Sequence, residues 1–120
     1  MTKQEVIEKY PNQFCLVKYM AIGRGWVPIV EKILERIQAL PNSEEIHIRQ
    51  IKEKFGKLTI YFNKYPEELL EIMREVLVKA DTTCEFCGQE AAQQRVGGWI
   101  KTICNPCHEL AVEKGIGILR

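Results

Sequence analysis

The chain has 120 residues, 46% of them hydrophobic and 28% charged, and its formal net charge at pH 7 is +1. These values are typical of one ordered globular domain, or of a small domain with an appended module, and they exclude a disordered chain. Because the net charge is close to zero, it gives no support to nucleic-acid binding. We see no apolar signal segment and no apolar run near the roughly 18 residues of a membrane span, so we expect a cytoplasmic protein without a membrane partner.

The first predicted element is a short helix over about residues 3–10. Thr2 and Glu5 match the T-x-x-E capping box, and a proline follows the helix directly. The apolar segment 12–22 that comes next is too short to be assigned to a helix or to a strand. Within it, Cys15 has apolar neighbours and is expected to be a small buried side chain, as free cysteines commonly are.

Two longer amphipathic helices are predicted, over about residues 27–40 and 66–80. The first follows a break at "GRGW" (23–26), and each has a proline in or at its first turn, where proline is tolerated. Their apolar residues follow the 3.6-residue period of a helix with one buried face. These residues are Ile29, Ile33, Leu34, Ile37 and Leu40 in the first helix, and Leu69, Leu70, Met73, Val76, Leu77 and Ala80 in the second.

A β-hairpin is predicted between these helices, over about residues 45–63, with "KFGK" as its turn. Its second strand alternates cleanly between apolar and polar residues, whereas on the first strand Ile46 and Ile48 are out of phase with Ile51. That mismatch requires a bulge or burial on both faces of the strand. The hairpin and the helices together predict an α+β core over residues 1–80.

The remaining segment, residues 81–120, contains two C-x-x-C pairs separated by 16 residues. In a reducing compartment this spacing is typical of a structural four-cysteine zinc site, so we expect Zn²⁺ as the cofactor. The predicted ligands are Cys84, Cys87, Cys104 and Cys107. A redox C-x-x-C would need a βαβ pattern beside it and a disulfide scaffold would need a secretory signal, and the sequence shows neither.

The residues around the cysteines predict a zinc knuckle, a hairpin and a helix, in that order. Gly88 follows the first pair, where a knuckle needs a positive φ. Gly97-Gly98 suits a two-residue primed turn between strands near 92–96 and 99–103. This order resembles that of treble-clef zinc fingers, and since no Pro/Gly/Ser-rich linker precedes it, we expect the zinc module to pack on the core.

The second cysteine pair leads into the predicted helix of this module. Cys107 lies at the start of that helix, where the amide dipoles are expected to stabilise its thiolate, and Gly115 is expected to end the helix. Leu110 is expected to face inward. His108 could replace Cys107 as a ligand, although the complete set of four cysteines favours a capping or solvent-facing role for it.

No residue pattern predicts catalysis. Four thiolates would fill the coordination shell of the zinc ion and leave no position for the water that a catalytic zinc site keeps. The two histidines, His47 and His108, and the single aspartate, Asp81, lie in no nuclease, deaminase or hydrolase motif. We therefore expect a non-enzyme, without catalytic residues and without a small-molecule substrate.

Several motifs follow one another in a distinctive order from residue 23 onward. They are "GRGW", "QIKEKFGKL" at 50–58, "CEFCG" and "GGWIKTICNPC". In this order the chain resembles a group of small uncharacterised proteins from bacteriophages and prophages. The resemblance implies phage or prophage origin and an intact cysteine module, and it implies no particular activity.

The first functional hypothesis is binding to a host protein, for instance as an inhibitor of host defence or regulation. The resemblance to phage proteins and the missing catalytic motif favour it. Trp26 and Trp99, each preceded by a glycine, are the candidate partner contacts, because tryptophan dominates many interfaces. Both could instead pack internally, Trp99 against the helix over residues 66–80.

The alternative hypothesis is nucleic-acid binding through the hairpin. Its candidate contacts are Arg49, Lys52, Lys54 and Lys57. Aromatic residues interleave with these cations, so the hairpin could contact phosphates and stack bases. The same lysines could instead protect a strand edge from aggregation, and the cysteine module is too acidic to be an evident phosphate binder.

Overall fold

A computed structural model describes residues 1–119. Within this range the chain forms four α-helices and two antiparallel two-stranded hairpins, which confirms the predicted α+β class. The elements in chain order are α1 (Lys3–Lys9), α2 (Val27–Gln38), β1 (Ile48–Lys54), β2 (Lys57–Phe62), α3 (Glu67–Val76), β3 (Ala92–Val96), β4 (Trp99–Ile103) and α4 (Asn105–Lys114). No helix in the described range combines the length and the apolar composition that crossing a bilayer requires.

Helices α1 and α2 begin where the sequence predicts. The capping box of α1 is complete: the amide of Glu5 donates to Thr2 Oγ1 at 3.1 Å, and the amide of Thr2 donates to Glu5 Oε1 at 2.9 Å. Helix α2 has Pro28 in its first turn, where the missing amide hydrogen costs little. Four of the five residues on the predicted apolar face are buried in the core, while the fifth, Leu40, lies beyond the end of α2 at Gln38 and is half-buried.

The β1–β2 hairpin confirms both the predicted turn and the predicted bulge. The two turn residues, Phe55 and Gly56, have φ values of +53° and +80°, the left-handed pair that a type I′ turn requires. The strand register shifts between Ile48 and Gln50, so that Ile48 and Ile51 are both buried.

The segment 12–22, which the sequence leaves unassigned, forms turns followed by an extended stretch that lies along β1. Ala21 bridges to that strand: its amide donates to Ile51 O at 2.9 Å, and its carbonyl accepts from Glu53 N at 3.2 Å. This pairing covers one edge of the hairpin and brings three apolar side chains of the segment into the core. They are Phe14, Met20 and Ile22.

The second long helix is shorter as an α-helix than predicted. Helix α3 ends at Val76, and the chain continues as a 3₁₀ helix over Leu77–Thr82. At the end of this 3₁₀ segment the carbonyl oxygen of Thr83 accepts a hydrogen bond from the indole Nε1 of Trp26 at 2.8 Å. The tighter winding therefore sets the position of the chain just before the first cysteine pair.

The buried apolar side chains of the described residues form two clusters of unequal size. The larger cluster unites α1, α2, α3, the β1–β2 hairpin and the segment 12–22. The smaller cluster surrounds the cysteines, and its buried members are Cys84, Phe86, Val96, Ile103, Cys104, Cys107 and Ala111. Three of these seven residues are predicted zinc ligands, so the cysteine module has little apolar core of its own.

The "GRGW" segment connects the two clusters. Gly25 donates its amide hydrogen to Glu85 O at 2.7 Å, and a side chain on Gly25 would overlap the carbonyl oxygen of Cys84. Trp26 is fully buried, with its indole bound to Thr83. The prediction of Trp26 as a surface contact for a partner is wrong, because the indole is used to fix the chain in front of the knuckle.

The turn of the β1–β2 hairpin connects the clusters at a second place. The hydroxyl of Thr102 on β4 donates to Gly56 O at 2.6 Å, and a Cβ on Gly56 would lie 3.3 Å from the backbone of β4. The side chain of Lys101 is only 5% exposed, and its Nζ lies 2.8 Å from Glu53 Oε1 and 3.8 Å from Glu85 Oε1. A buried lysine thus ties together the first hairpin, β4 and the knuckle.

Candidate metal centre

The two C-x-x-C pairs meet in one cluster of sulfur atoms. The Sγ atoms of Cys84, Cys87, Cys104 and Cys107 all lie within 4.8 Å of one another, and those of Cys87 and Cys104 are 3.4 Å apart. A tetrahedral zinc ion with Zn–S bonds of about 2.3 Å needs sulfur–sulfur distances of roughly 3.8 Å. The four sulfurs therefore fit a tetrahedral metal ion of this size with only small side-chain adjustments.

The first cysteine pair lies on a tight knuckle, as predicted. The amide of Cys84 donates to Gln89 O at 2.7 Å, and the amide of Gly88 donates to Cys84 O at 3.0 Å. Gly88 has a φ of +85°, a conformation that glycine adopts without strain, which confirms the predicted positive φ. The knuckle holds the sulfurs of Cys84 and Cys87 within reach of the second pair.

The second cysteine pair lies where β4 meets α4. Cys104 is the N-cap residue of α4, and Cys107 lies in the first turn of that helix. The two strands that lead to this point have the predicted bounds, and of their turn glycines Gly97 alone has a positive φ, +62°, as in a type II′ turn. The order of knuckle, hairpin and helix is consistent with the predicted zinc finger.

The thiols of the metal-free cluster differ in acidity. Burial opposes the ionisation of Cys84, but hydrogen bonds from the backbone of Cys104, Cys87 and Phe86 together outweigh it and lower the pKa of Cys84 to about 7. Burial raises the pKa of Cys107 far above that of an ordinary thiol, and the neighbouring sulfurs raise it further. Burial likewise raises the pKa of Cys104. Burial and the neighbouring sulfurs therefore dominate at Cys107, and the stabilisation of its thiolate by the start of α4 stays a prediction.

Two side chains of α4 take positions that the sequence only partly predicts. The ring nitrogen Nε2 of His108 donates to Arg95 O at 2.9 Å, so His108 links α4 to β3 and lies outside the sulfur cluster. Leu110 is exposed, contrary to the prediction that it faces inward. The buried positions of α4 are instead Cys107 and Ala111, four residues apart on one helix face.

Cys15 is exposed rather than buried, contrary to prediction. Its Sγ lies 3.3 Å from Nδ1 of His47, a distance that resembles a nucleophile–base pair. However, the same Nδ1 lies 2.8 Å from the carbonyl oxygen of Asn12, which can only accept a hydrogen bond. Nδ1 therefore carries the proton and cannot take one from the thiol, so this pair is not arranged for nucleophilic catalysis.

The predicted nucleic-acid contacts lie on the β1–β2 hairpin. They are Arg49, Lys52, Lys54 and Lys57. The three lysines share the face opposite the core, while Arg49 lies at the bulge. Two of these lysines have partners within the chain: Lys57 Nζ lies 3.6 Å from Asp81 Oδ1, and Lys52 Nζ lies 5.7 Å from the ring centroid of Tyr61.

The turns of the two hairpins expose two large aromatic side chains. Phe55 is 71% exposed and Trp99 is 65% exposed, and both line one groove of about 380 Å³. This exposure excludes the alternative that Trp99 packs against helix α3. A Cβ added to Gly97 or Gly98 in the turn beside it would meet no atom within 4 Å. Sequence reasoning considers Phe55 only as one of the aromatic residues that could stack bases on the hairpin, and it does not place Phe55 beside Trp99. The unusual turn is visible in the sequence, because "KFGK" places an aromatic residue where asparagine or aspartate is usual.

Comparisons with protein-family models, with curated proteins and with solved structures return no match for this chain. Its function is therefore inferred from the arrangement of its own residues. Two features bear on it most directly: the cluster of four sulfurs, and the groove between the two hairpin turns.

Proposed function

We propose that the protein is a non-enzymatic, zinc-binding protein of phage or prophage type that acts by binding a host protein, as an inhibitor of a host defence or regulatory activity. The observation that carries the zinc-binding part of the proposal is the set of four sulfurs within 4.8 Å of one another. Zinc bound there would have four thiolate ligands and no open position for water or substrate. Its role would be to hold the knuckle, the second hairpin and α4 together, in a module with few apolar contacts of its own.

Binding to a protein is supported by the exposed aromatic side chains of Phe55 and Trp99. Large aromatic residues are enriched at the centres of protein interfaces, where they contribute most of the binding free energy. Their exposure in one groove is unfavourable in a free protein, because apolar surface in water costs about 25 cal/mol per Å². A partner that covers the groove would recover that free energy.

The zinc part of the proposal is tested by elemental analysis of freshly purified protein. We expect one zinc ion per chain, lost in a Cys84→Ser/Cys104→Ser variant. Cys15→Ser is the matched control, since Cys15 lies outside the sulfur cluster, and it should keep the metal. Protein without zinc, or a double variant that folds as well as the wild type, would disprove this part.

The partner part is tested by affinity capture from a bacterial host lysate with the zinc-loaded full chain as bait. We expect a specific protein that the wild type and a Tyr19→Ala variant retain and that a Trp99→Ala variant loses. Tyr19 is a suitable control because it is a large exposed aromatic outside the groove. Capture of no specific protein by the wild type counts against a host-protein partner.

Nucleic-acid binding is the second candidate, favoured by the three hairpin lysines that share one solvent-facing side. It predicts DNA or RNA binding that weakens steeply with salt and is lost in a Lys52→Ala/Lys54→Ala/Lys57→Ala variant. A control that removes the same charge elsewhere is Lys18→Ala/Lys32→Ala/Lys114→Ala. If the protein binds neither DNA nor RNA at low salt, this candidate function is excluded.

A further inference from the structure

The groove between the two hairpin turns, here called the turn groove, is built from both parts of the molecule. Lys54 ends β1 and Phe55 begins the turn of the first hairpin, whereas Arg95, Trp99 and Ile100 come from the second hairpin. Its volume of about 380 Å³ is near the lower end of the roughly 300–1,000 Å³ found for ligand pockets. A groove of this size suits one or two side chains of a partner.

Phe55 is in an unfavourable state in two respects. Its φ of +53° lies in the left-handed region, which costs an L-residue with a bulky side chain about 1–2 kcal/mol. Phe55 is also 71% exposed, so burial does not offset that strain. A strained and exposed aromatic residue is an outlier of the kind found at binding sites, where a partner supplies the missing contacts.

The backbone on both sides of the turn groove is held in place before any partner binds. Gly56 O accepts from the Thr102 hydroxyl at 2.6 Å, and Gly56 N donates to Glu53 Oε2 at 2.7 Å. These bonds fix the turn that carries Phe55 against the strand that begins with Trp99. The two aromatic residues are therefore positioned in advance, which reduces the entropy lost on binding.

The charges at the turn groove are positive and available. The side chains of Lys54 and Arg95 form no ion pair with any residue in the described part of the chain. The one carboxylate in the lining, that of Glu53, is bound to Lys101 and to the amide of Gly56. A partner that enters the groove thus meets two free cations beside two apolar rings.

We propose that the turn groove binds an acidic protein segment, in which an aromatic or aliphatic anchor is flanked by aspartate or glutamate residues. The inference rests on the proposed function and names the chemistry of the partner. The anchor would lie between Phe55 and Trp99, and its flanking carboxylates would pair with Lys54 and Arg95. Since Phe55 belongs to the core and Trp99 to the cysteine module, the site is complete only when the two parts are docked.

A protein segment fits these observations better than a single-stranded nucleic acid. Stacking of bases on the two aromatic rings is feasible, but a nucleic-acid strand also needs a row of cations along its backbone. Lys57 is paired with Asp81, and Lys52 lies over Tyr61, which leaves two free cations at the groove.

The test uses zinc-loaded full-length protein and a fluorescein-labelled 12-residue peptide, with a central Trp-Leu pair and three acidic residues on each side. A control peptide replaces every Asp and Glu by Asn and Gln, and labelled (dT)12 is the nucleic-acid probe. Fluorescence anisotropy should show micromolar binding of the acidic peptide, at least tenfold weaker binding of the neutral peptide, and weaker binding of (dT)12. Equal affinity for the two peptides, no peptide binding, or tighter binding of (dT)12 would overturn the proposal.

Variants of the protein locate the binding site. Trp99→Ala and Phe55→Asn should each lower the affinity for the acidic peptide at least tenfold. Arg95→Gln should lower this affinity severalfold and make it less dependent on salt. Phe55→Asn keeps the test sharp, because asparagine suits the turn and this variant should melt no lower than the wild type. Tyr19→Ala should bind normally. Unchanged binding by both aromatic variants would exclude the turn groove.

Failure of this inference can be told apart from failure of the proposed function. If Trp99→Ala still captures the same host protein as the wild type, the protein binds a host partner through another surface and the turn groove is not its site. If the wild type captures no specific host protein but binds the acidic peptide through Trp99, the groove is real and the host-partner role is wrong.

Discussion

The larger core and the cysteine module are stabilised in different ways. The core buries apolar side chains from three helices, one hairpin and a connecting segment, so its stability comes from the removal of apolar surface from water. The module buries seven such residues, three of them cysteines that a metal would ionise. The difference teaches that a metal ion held by the four sulfurs would take the place of an apolar core in the module, while the larger core is stabilised by apolar burial alone.

The two parts also depend on each other to different degrees. The module lies against the core through two close backbone contacts, at Gly25 and at Gly56, and through the buried Lys101. The elements of the core pack against one another, whereas the module packs partly against the core. We therefore expect perturbations of the module to leave the core folded, and the predictions below test this asymmetry.

Removal of the metal should have the largest effect. A structural zinc ion contributes roughly 10–16 kcal/mol of apparent binding free energy to the folding of small zinc modules. With a strong chelator, hydrogen exchange of the amides in β3, β4 and α4 should approach that of an unfolded chain, while α2 and α3 stay protected. If the amides of the cysteine module remain protected after the metal is removed, the module does not depend on the metal for its fold.

Zinc affinity should rise with pH, because zinc binds the thiolates and displaces their protons. Cys104 and Cys107 have raised pKa values and are protonated at neutral pH. Zinc that binds just above pH 7 must therefore displace at least two protons. The pKa of Cys84 is lowered to about 7, so below that pH its proton must be displaced as well. Above pH 7, the affinity for zinc should therefore fall by about two orders of magnitude or more for each pH unit of acidification. Below pH 7, it should fall by about three orders of magnitude or more per pH unit.

Competition titrations with a chelator of known proton linkage, at several values between pH 6 and pH 8, measure this slope. The Cys15→Ser variant is the control and should show the same dependence, since Cys15 lies outside the cluster. A slope that does not steepen below pH 7 would show that Cys84 is not the first thiol to ionise.

Substitution of the buried Lys101 tests the connection between the core and the cysteine module. Lys101→Met removes the charge but keeps the length, and it leaves the carboxylates of Glu53 and Glu85 buried without their cation. Breaking a buried pair in this way costs about 3–5 kcal/mol. Arg74→Ala, which removes an exposed pair with Glu67, is the control and should change stability by less than about 1 kcal/mol.

Urea unfolding of the zinc-loaded variants measures both changes. We expect Lys101→Met to lower the midpoint of the transition that includes the module and to raise amide exchange first in β4 and the knuckle. A Lys101→Met protein as stable as Arg74→Ala would show that the buried lysine does not connect the two parts.

The features predicted correctly from the sequence are those with local causes. Thr2 and Glu5 cap a helix three residues apart, and the C-x-x-C spacing brings paired sulfurs to one turn. The bulge in β1 follows from the phase of neighbouring isoleucines on the same strand. Each of these signals is complete within a few residues, so no knowledge of the tertiary fold is needed to interpret it.

The features that the sequence does not reveal depend on distant contacts. Lys101 resembles an ordinary surface lysine, and its burial depends on Glu53, 48 residues away. The sequence predicts a chain break at Gly25 and a turn at Gly56, but each glycine also permits a close approach to a distant backbone. A glycine gives the same sequence signal in both situations, and only the fold distinguishes them.

The smallest effects come from the two hairpin turns, where two residues with positive φ should respond to substitution in opposite ways. Phe55→Asn should stabilise the protein by about 1 kcal/mol, because asparagine tolerates a φ of +53° better and the exposed ring loses little burial. Gly97→Ala should destabilise it by about 1 kcal/mol, since alanine is strained at a φ of +62° although nothing crowds its Cβ.

Thermal unfolding of the zinc-loaded protein should show these changes as shifts of roughly 3–5 °C in opposite directions. Gly98→Ala is the control for Gly97→Ala: it lies in the same open turn without a positive φ, so its effect should be smaller. A Phe55→Asn variant that melts below the wild type would mean that the ring stabilises the folded protein by more than the strain costs. In that case Phe55 belongs to the junction between the two parts, and its exposure to a partner is secondary.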